Sequence, residues 1–202
     1  MLKVALTGGI ATGKTYVLRR FAAHGVPTID TDQLAREALR PGTPGHAAVV
    51  ARFGDAVLAP DGDVDRPKLG AIVFADAAAR RDLEAIVHPE VNRAITAWLT
   101  ALEAAGRPPI AVADIPLLFE VGREGEFDKV IVTMCAPDLQ VRRLIERDQM
   151  SEAEARQRLA AQWPIEEKAR RADYVIDTNG THAETDRQVE FVYRELMADS
   201  RQ

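Results

Sequence analysis

Apolar residues along the chain fall into short, β-branched runs separated by longer stretches with helical spacing. Leu2–Leu6, Val26–Ile29, Ile110–Ala113, Val130–Thr133 and Tyr174–Ile176 read as five buried strands. Near-continuous apolar strands alternating with helical patterns predict an α/β fold, a parallel five-stranded sheet with helices on both faces. A first helix is predicted from Lys14, with Val17, Leu18 and Phe21 on one face and Gly25 as its stop.

The strands are unevenly spaced. Between the second and third lie residues 31–109, with turn signals at Pro41-Gly42-Thr43-Pro44-Gly45 and Pro60-Asp61-Gly62-Asp63. A plain crossover needs only about a dozen residues. The excess predicts an inserted helical lobe placed to contact substrate. After the fourth strand, residues 138–171 are helical in pattern and dense in arginine: Arg142, Arg143, Arg147, Arg156, Arg158, Arg170 and Arg171. All 202 residues are expected to form one domain, with the lobe and this second segment as insertions.

Composition narrows the class. Apolar residues make up 47% and charged residues 28%, the balance of a globular protein rather than a disordered one. The net charge of −5 argues against general nucleic-acid binding, which draws on excess lysine and arginine. Cys135, the single cysteine, closes an apolar run and is expected to be buried; its solitude fits a reducing cytosol. No apolar run approaches the ~20 residues of a membrane helix, and Met1–Thr7 leads straight into the first motif without a signal peptide. A cytoplasmic location, without membrane or nucleic-acid partners, is the expectation.

That motif is Gly8-x-x-x-x-Gly13-Lys14-Thr15, between a strand and a helix. Glycines let successive backbone N–H groups turn toward phosphate oxygens, and the helix N-terminus adds its positive dipole end. Lys14 offers a mobile charge to the β- and γ-phosphates, and Thr15 a hydroxyl to Mg²⁺. The competing reading is an accidental glycine-rich turn. GTPases, motors and switches share the pattern, but no Asn-Lys-x-Asp guanine signature is present. Ile29-Asp30-Thr31-Asp32 ends the second strand and opens a helix. A carboxylate at the carboxyl edge of such a sheet can take the proton of an acceptor hydroxyl, or it can simply cap the helix.

Several runs together resemble the dephospho-coenzyme A kinases. They are Leu6-Thr7-Gly8-Gly9-Ile10-x-x-Gly13-Lys14, Val26-Pro27-x-Ile29-Asp30-x-Asp32-x-x-Ala35-Arg36, Leu83-Glu84-x-Ile86-x-His88-Pro89 and Asp114-Ile115-Pro116-Leu117-Leu118-Phe119-Glu120. Gln140-x-x-Arg143-Leu144-x-x-Arg147 and Ala155-x-x-Arg158-Leu159-x-x-Gln162 continue the match over nearly the whole chain. Ala11 departs from it, standing where the family usually has glycine, which alanine can fill at negative φ. Asp177-Thr178-Asn179-Gly180 departs from an Asp-Asn-x-Gly pattern.

The resemblance implies a P-loop kinase fold with a substrate lobe and a mobile lid, and transfer of the ATP γ-phosphoryl group to the ribose 3′-hydroxyl of dephospho-coenzyme A. On that reading ATP meets Gly9, Ala11, Thr12, Gly13, Lys14, Thr15 and Tyr16, and Thr15 meets the metal. Lys14, Asp32, Arg143 and Arg147 form the catalytic set, and Asp32, His88, Asp114, Leu117 and Leu118 meet the acceptor. Plainer readings stand beside these. Arg143 and Arg147 can instead lie on a solvated face, pairing with Glu146 or Asp148. Leu117 and Leu118 can be core, and His88, before Pro89 at an expected helix start, can be structural. Another small-molecule P-loop kinase, or an ATP-dependent switch, remains an alternative.

Overall fold

Five strands form the parallel sheet the apolar runs predict, in the order β2-β3-β1-β4-β5. The computed structural model describes residues 1–106 and 108–201. In chain order the elements are β1 (Leu2–Gly8), α1 (Lys14–Ala23), β2 (Thr28–Asp30), α2 (Thr31–Glu37), α3 (Pro44–Phe53), α4 (Arg66–Ala75), α5 (Ala77–Ala104) and β3 (Ile110–Asp114). They continue with β4 (Lys129–Met134), α6 (Pro137–Asp148), α7 (Glu152–Ala160), α8 (Ile165–Arg170), β5 (Tyr174–Asp177) and α9 (His182–Asp199).

The chain divides into two compact units, one of Met1–Ile29 with Ala101–Gln202, the other of Asp30–Thr100. In the first, Val4 and Leu6 of β1, Val112, Ile131 and Ile176 pack against Val17 and Phe21 of α1 and Val189, Val192 and Leu196 of α9. Helix α8 packs on β4 and shares no residue with that cluster. Register matters most at the strand ends. Leu6 pairs with Asp114 and Gly8 with Thr133, so β3 and β4 end beside the loop that follows β1. Helix α1 ends as expected: Gly25 sits at φ 78°, and the amides of Gly25 and Val26 cap the carbonyls of Ala22 and Phe21. Cys135 is fully buried, and desolvation pushes its thiol pKa up.

The second unit is helical, with its own core of Leu39, Val49, Val57 and Leu69. His88-Pro89 does not start a helix, contrary to the reading of the sequence. Both residues lie inside the 28-residue α5. Proline there removes the N–H that would bond the Ala85 carbonyl, but Ala85 and Pro89 are both exposed. Water can therefore serve the freed carbonyl, and the packing of Leu83, Ile86 and Val87 on the unit's core carries the helix through.

Candidate functional site

The loop from Gly8 to Gly13 is built by pinning its carbonyls. Gly8 O accepts from Lys168 Nζ at 3.2 Å, Gly9 O from Thr12 Oγ1 at 2.8 Å and Ile10 O from Gln140 Nε2 at 2.6 Å. Ala11 O accepts from an Arg143 guanidinium nitrogen at 3.2 Å, and Thr12 O from Thr178 Oγ1 at 2.9 Å. A planar trans peptide directs the next N–H opposite to its carbonyl. Five consecutive anchored carbonyls therefore set the orientation of the following amides.

The Ile10 amide is spent on Gln162 Oε1 at 2.8 Å. Those of Ala11, Gly13, Lys14 and Thr15 make no hydrogen bond among the described residues. Helix α1 has no side-chain cap and no acid in its first turn. The result is a concave set of donors at a helix N-terminus, which suits a phosphate.

Gly8 is required by close approach to backbone, and Gly9 leaves room for the end of the Gln140 side chain. A Cβ on Gly8 would come within 2.5 Å of the Thr133 carbonyl oxygen, and one on Gly9 within 2.5 Å of Gln140 Nε2. Gly13 needs its freedom for φ 83°. Ala11 is the exception. Its φ is 58°, not the negative value expected for an alanine there. The Arg143 bond to its carbonyl and the packing of its methyl group against the Val141–Leu144–Ala155 cluster hold it in this less favourable conformation.

Lys14 and Asp114 meet at the mouth of this loop, Nζ to Oδ1 3.3 Å, with side-chain exposures of 15% and 5%. Thr15 is exposed in the first turn of α1, and Thr12 is buried against Thr133 Oγ1 at 2.8 Å. Among the described residues no cluster of three or more His, Cys, Asp or Glu side chains could hold a metal by itself. A Thr15 hydroxyl and an Asp114 carboxylate are hard oxygen donors. So small a set fits Mg²⁺, which keeps several waters and takes phosphate oxygens as ligands.

Other expected site residues are placed differently. Besides the Ala11 carbonyl, the Arg143 guanidinium reaches Thr178 O at 2.8 Å and Thr178 Oγ1 at 3.2 Å, so it braces the loop from behind. Arg147 forms a bidentate pair with Asp148 at 2.7 and 2.8 Å on an exposed face, the solvated-face alternative. Tyr16 donates its hydroxyl to Asp186 at 2.7 Å, which raises its pKa, and stacks on His182 at 4.3 Å. Leu118 is fully buried and Leu117 is 41% exposed, so only the latter offers surface to a ligand.

In the second unit, Asp30 is the cap of α2, accepting from the amides of Asp32 and Gln33 at 2.8 and 3.3 Å. That frees Asp32 from capping, and its exposed carboxylate has no partner among the described residues. His88 is exposed in the middle of α5.

Lys168, Gln140, Gln162 and Thr178 were not assigned roles from the sequence, although each holds the loop. Lys168 is the most unexpected. It is fully buried, paired with Glu120 Oε1 at 2.6 Å as well as with Gly8 O. A lysine in an arginine- and glutamate-rich segment reads as a surface charge. Only the Gln140 and Gln162 spacings within the family-like runs pointed toward any of the four.

The family model for dephospho-CoA kinase matches residues 2–184. A dephospho-CoA kinase of Geobacter sulfurreducens is 48% identical over 190 residues, covering 94% of this chain and 96% of its own. Among solved structures, a Thermus thermophilus protein superimposes with a TM-score of 0.81 at 33% identity, covering 96% of this chain and 97% of that one. A dephospho-CoA kinase from Campylobacter jejuni gives 0.73 at 28% identity, with 98% of each chain covered. A loop built to hold phosphate and a likeness that spans the sequence nearly end to end thus agree, and the chain belongs to the dephospho-coenzyme A kinase family.

Proposed function

We propose that the chain transfers the γ-phosphoryl group of ATP to the ribose 3′-hydroxyl of dephospho-coenzyme A, with the residues of the 8–15 loop on the nucleotide and Asp32 on the acceptor. The observation that carries this is the loop itself, with five anchored carbonyls, free amides at Ala11, Gly13, Lys14 and Thr15, and Lys14 held beside Asp114.

In this reading the loop amides and the α1 N-terminus bind the phosphates, and Lys14 moves from Asp114 to oxygens of the β- and γ-phosphates. Thr15 and Asp114 would hold Mg²⁺, which would supply charge neutralisation on the phosphates when bound. Asp32 accepts the hydrogen bond of the acceptor hydroxyl and takes its proton as the phosphoryl group transfers. Arg143 serves by fixing the Ala11 peptide rather than by touching phosphate. The 138–171 segment includes a lid whose closure excludes water. Arg147 reaches phosphate only if it leaves Asp148. His88 and Leu117 contribute to acceptor binding from exposed positions. The buried thiol of Cys135 suits an enzyme of the cytoplasm.

The test is product analysis with ATP, Mg²⁺ and dephospho-coenzyme A, reading the phosphorylated position by phosphorus NMR. A 3′-phosphorylated product with stoichiometric ADP is expected. ATP hydrolysis without acceptor phosphorylation would remove the proposal.

A further inference from the structure

The second unit, taken alone, contains a concavity of about 300 Å³ onto which Arg36, Arg40 and Arg66 converge. Leu39, a buried member of this unit's core, and Val64 give it an apolar floor. Arg52, Arg80 and Arg93 of the same unit are ion-paired. Arg36, Arg40 and Arg66 make no side-chain hydrogen bond or ion pair among the described residues. Two carboxylates, Glu37 and Asp63, also line the concavity, but Glu37 accepts from Gln33 Nε2 at 2.9 Å. Three unpaired guanidinium forks around one hollow are suited to a ligand with many acceptor oxygens, because each fork can bind two phosphate oxygens at once.

Position on α2 narrows the ligand. Arg36 follows Asp32 by four residues, so the two share a helix face about 6 Å apart along the axis. That is roughly the span of a ribose from its 3′ oxygen to the phosphorus on its 5′ oxygen. We propose that the Arg36–Arg40–Arg66 pocket binds the diphosphate linkage of the acceptor, so that a ribose resting along α2 presents its 3′-hydroxyl to Asp32. This rests on the acceptor named above. It adds a subsite that measures the distance from diphosphate to hydroxyl and so selects the 3′ position.

The test uses the full chain with Arg36→Ala, Arg66→Ala and their combination with Arg40→Ala, and Arg36→Lys as the conservative control. All three side chains are exposed, so melting temperatures should match wild type. Each single alanine variant should raise the KM for dephospho-coenzyme A about tenfold to a hundredfold, with the KM for ATP and kcat nearly unchanged and partial recovery in Arg36→Lys. In parallel, inorganic pyrophosphate is titrated calorimetrically onto protein whose nucleotide loop is saturated with a non-hydrolysable ATP analogue. Wild type should bind it and the triple variant should not.

Pyrophosphate binding that is lost in the triple variant, with an unchanged acceptor KM, would mean a site for free anions and overturn the assignment. An acceptor KM and a pyrophosphate affinity both unmoved by the triple substitution would overturn the pocket altogether. A wild type that leaves dephospho-coenzyme A unmodified but still binds pyrophosphate through these arginines would sink the acceptor reading while keeping the pocket.

Discussion

Replacing Lys168 with methionine is expected to cost more stability than any other single lysine change. Its ammonium group is fully buried, 2.6 Å from Glu120 Oε1 and 3.2 Å from the Gly8 carbonyl. Methionine fills similar volume but leaves the Glu120 carboxylate without its counter-ion and Gly8 O without its donor. Removing one partner of a buried pair costs about 3–5 kcal/mol. Glu120 keeps 15% side-chain exposure, so water relieves part of the penalty and the lower end, ~3 kcal/mol, applies. For a chain of this size that lowers Tm by roughly 6–12 °C.

The pair itself is imperfect. Glu120 Oε2 is buried with no hydrogen-bond partner among the described residues. Neutralising both groups, as Lys168→Met with Glu120→Gln, should therefore cost less than Lys168→Met alone, since the glutamine still accepts from the Trp163 amide. Calorimetric melting of wild type, both single variants and the double gives the cycle. Fluorescence titration with an ATP analogue should show weaker binding wherever the Gly8 anchor is missing. A Lys168→Met protein melting within 2 °C of wild type, or a double variant no more stable than that single one, would refute the argument.

Lys14→Met and Asp32→Asn should separate the two sides of the reaction in single-turnover transfer and ATP-analogue binding. The first should abolish transfer and weaken nucleotide binding; the second should leave binding intact and slow transfer about 10²–10⁴-fold, with a much smaller loss meaning that Asp32 only orients the hydroxyl. Ala11→Gly relieves a φ of 58° but frees the unfolded chain and removes a packed methyl group. Its Tm should be unchanged or rise by about 2–4 °C, and a clear fall would show that the methyl group outweighs the strain. Glu154 and Glu184 have lowered pKa values, Glu154 first through the Ser151 hydroxyl and Glu184 first through the Thr181 amide, as the capping residues of α7 and α9. A carboxylate lowered on folding stabilises above its unfolded pKa and loses that contribution as pH falls. Tm should therefore drop below about pH 4.5, and Glu184→Gln should make that drop shallower.

The local physics of this protein is legible in its sequence. Buried parallel strands show as β-branched runs because both faces must be apolar. The phosphate loop shows as Gly8, Gly13, Lys14 and Thr15 because its turn and its helix start depend on neighbouring residues alone. The same holds for the Gly25 stop of α1 and the acidic pair after β2, although the structure had to decide which acid caps the helix and which stays free. What the sequence could not supply was set by contacts between distant residues. Lys168 lies 160 positions from the carbonyl it holds, Gln140 130 and Arg143 132. Helical spacing, which reports exposure on one element, left a solvated face open for Arg143 and carried no sign of what Gln140 and Lys168 hold. Ala11 occupies a left-handed conformation because Arg143 and a packed cluster hold it there, and Pro89 sits inside α5 because the apolar face of that helix packs as one unit. Strand order, too, came from the sheet, with β3 inserted between β1 and β2 so that Asp114 ends beside Lys14. Short-range rules determine which residues can make a phosphate loop; only tertiary packing determines which ones hold it open.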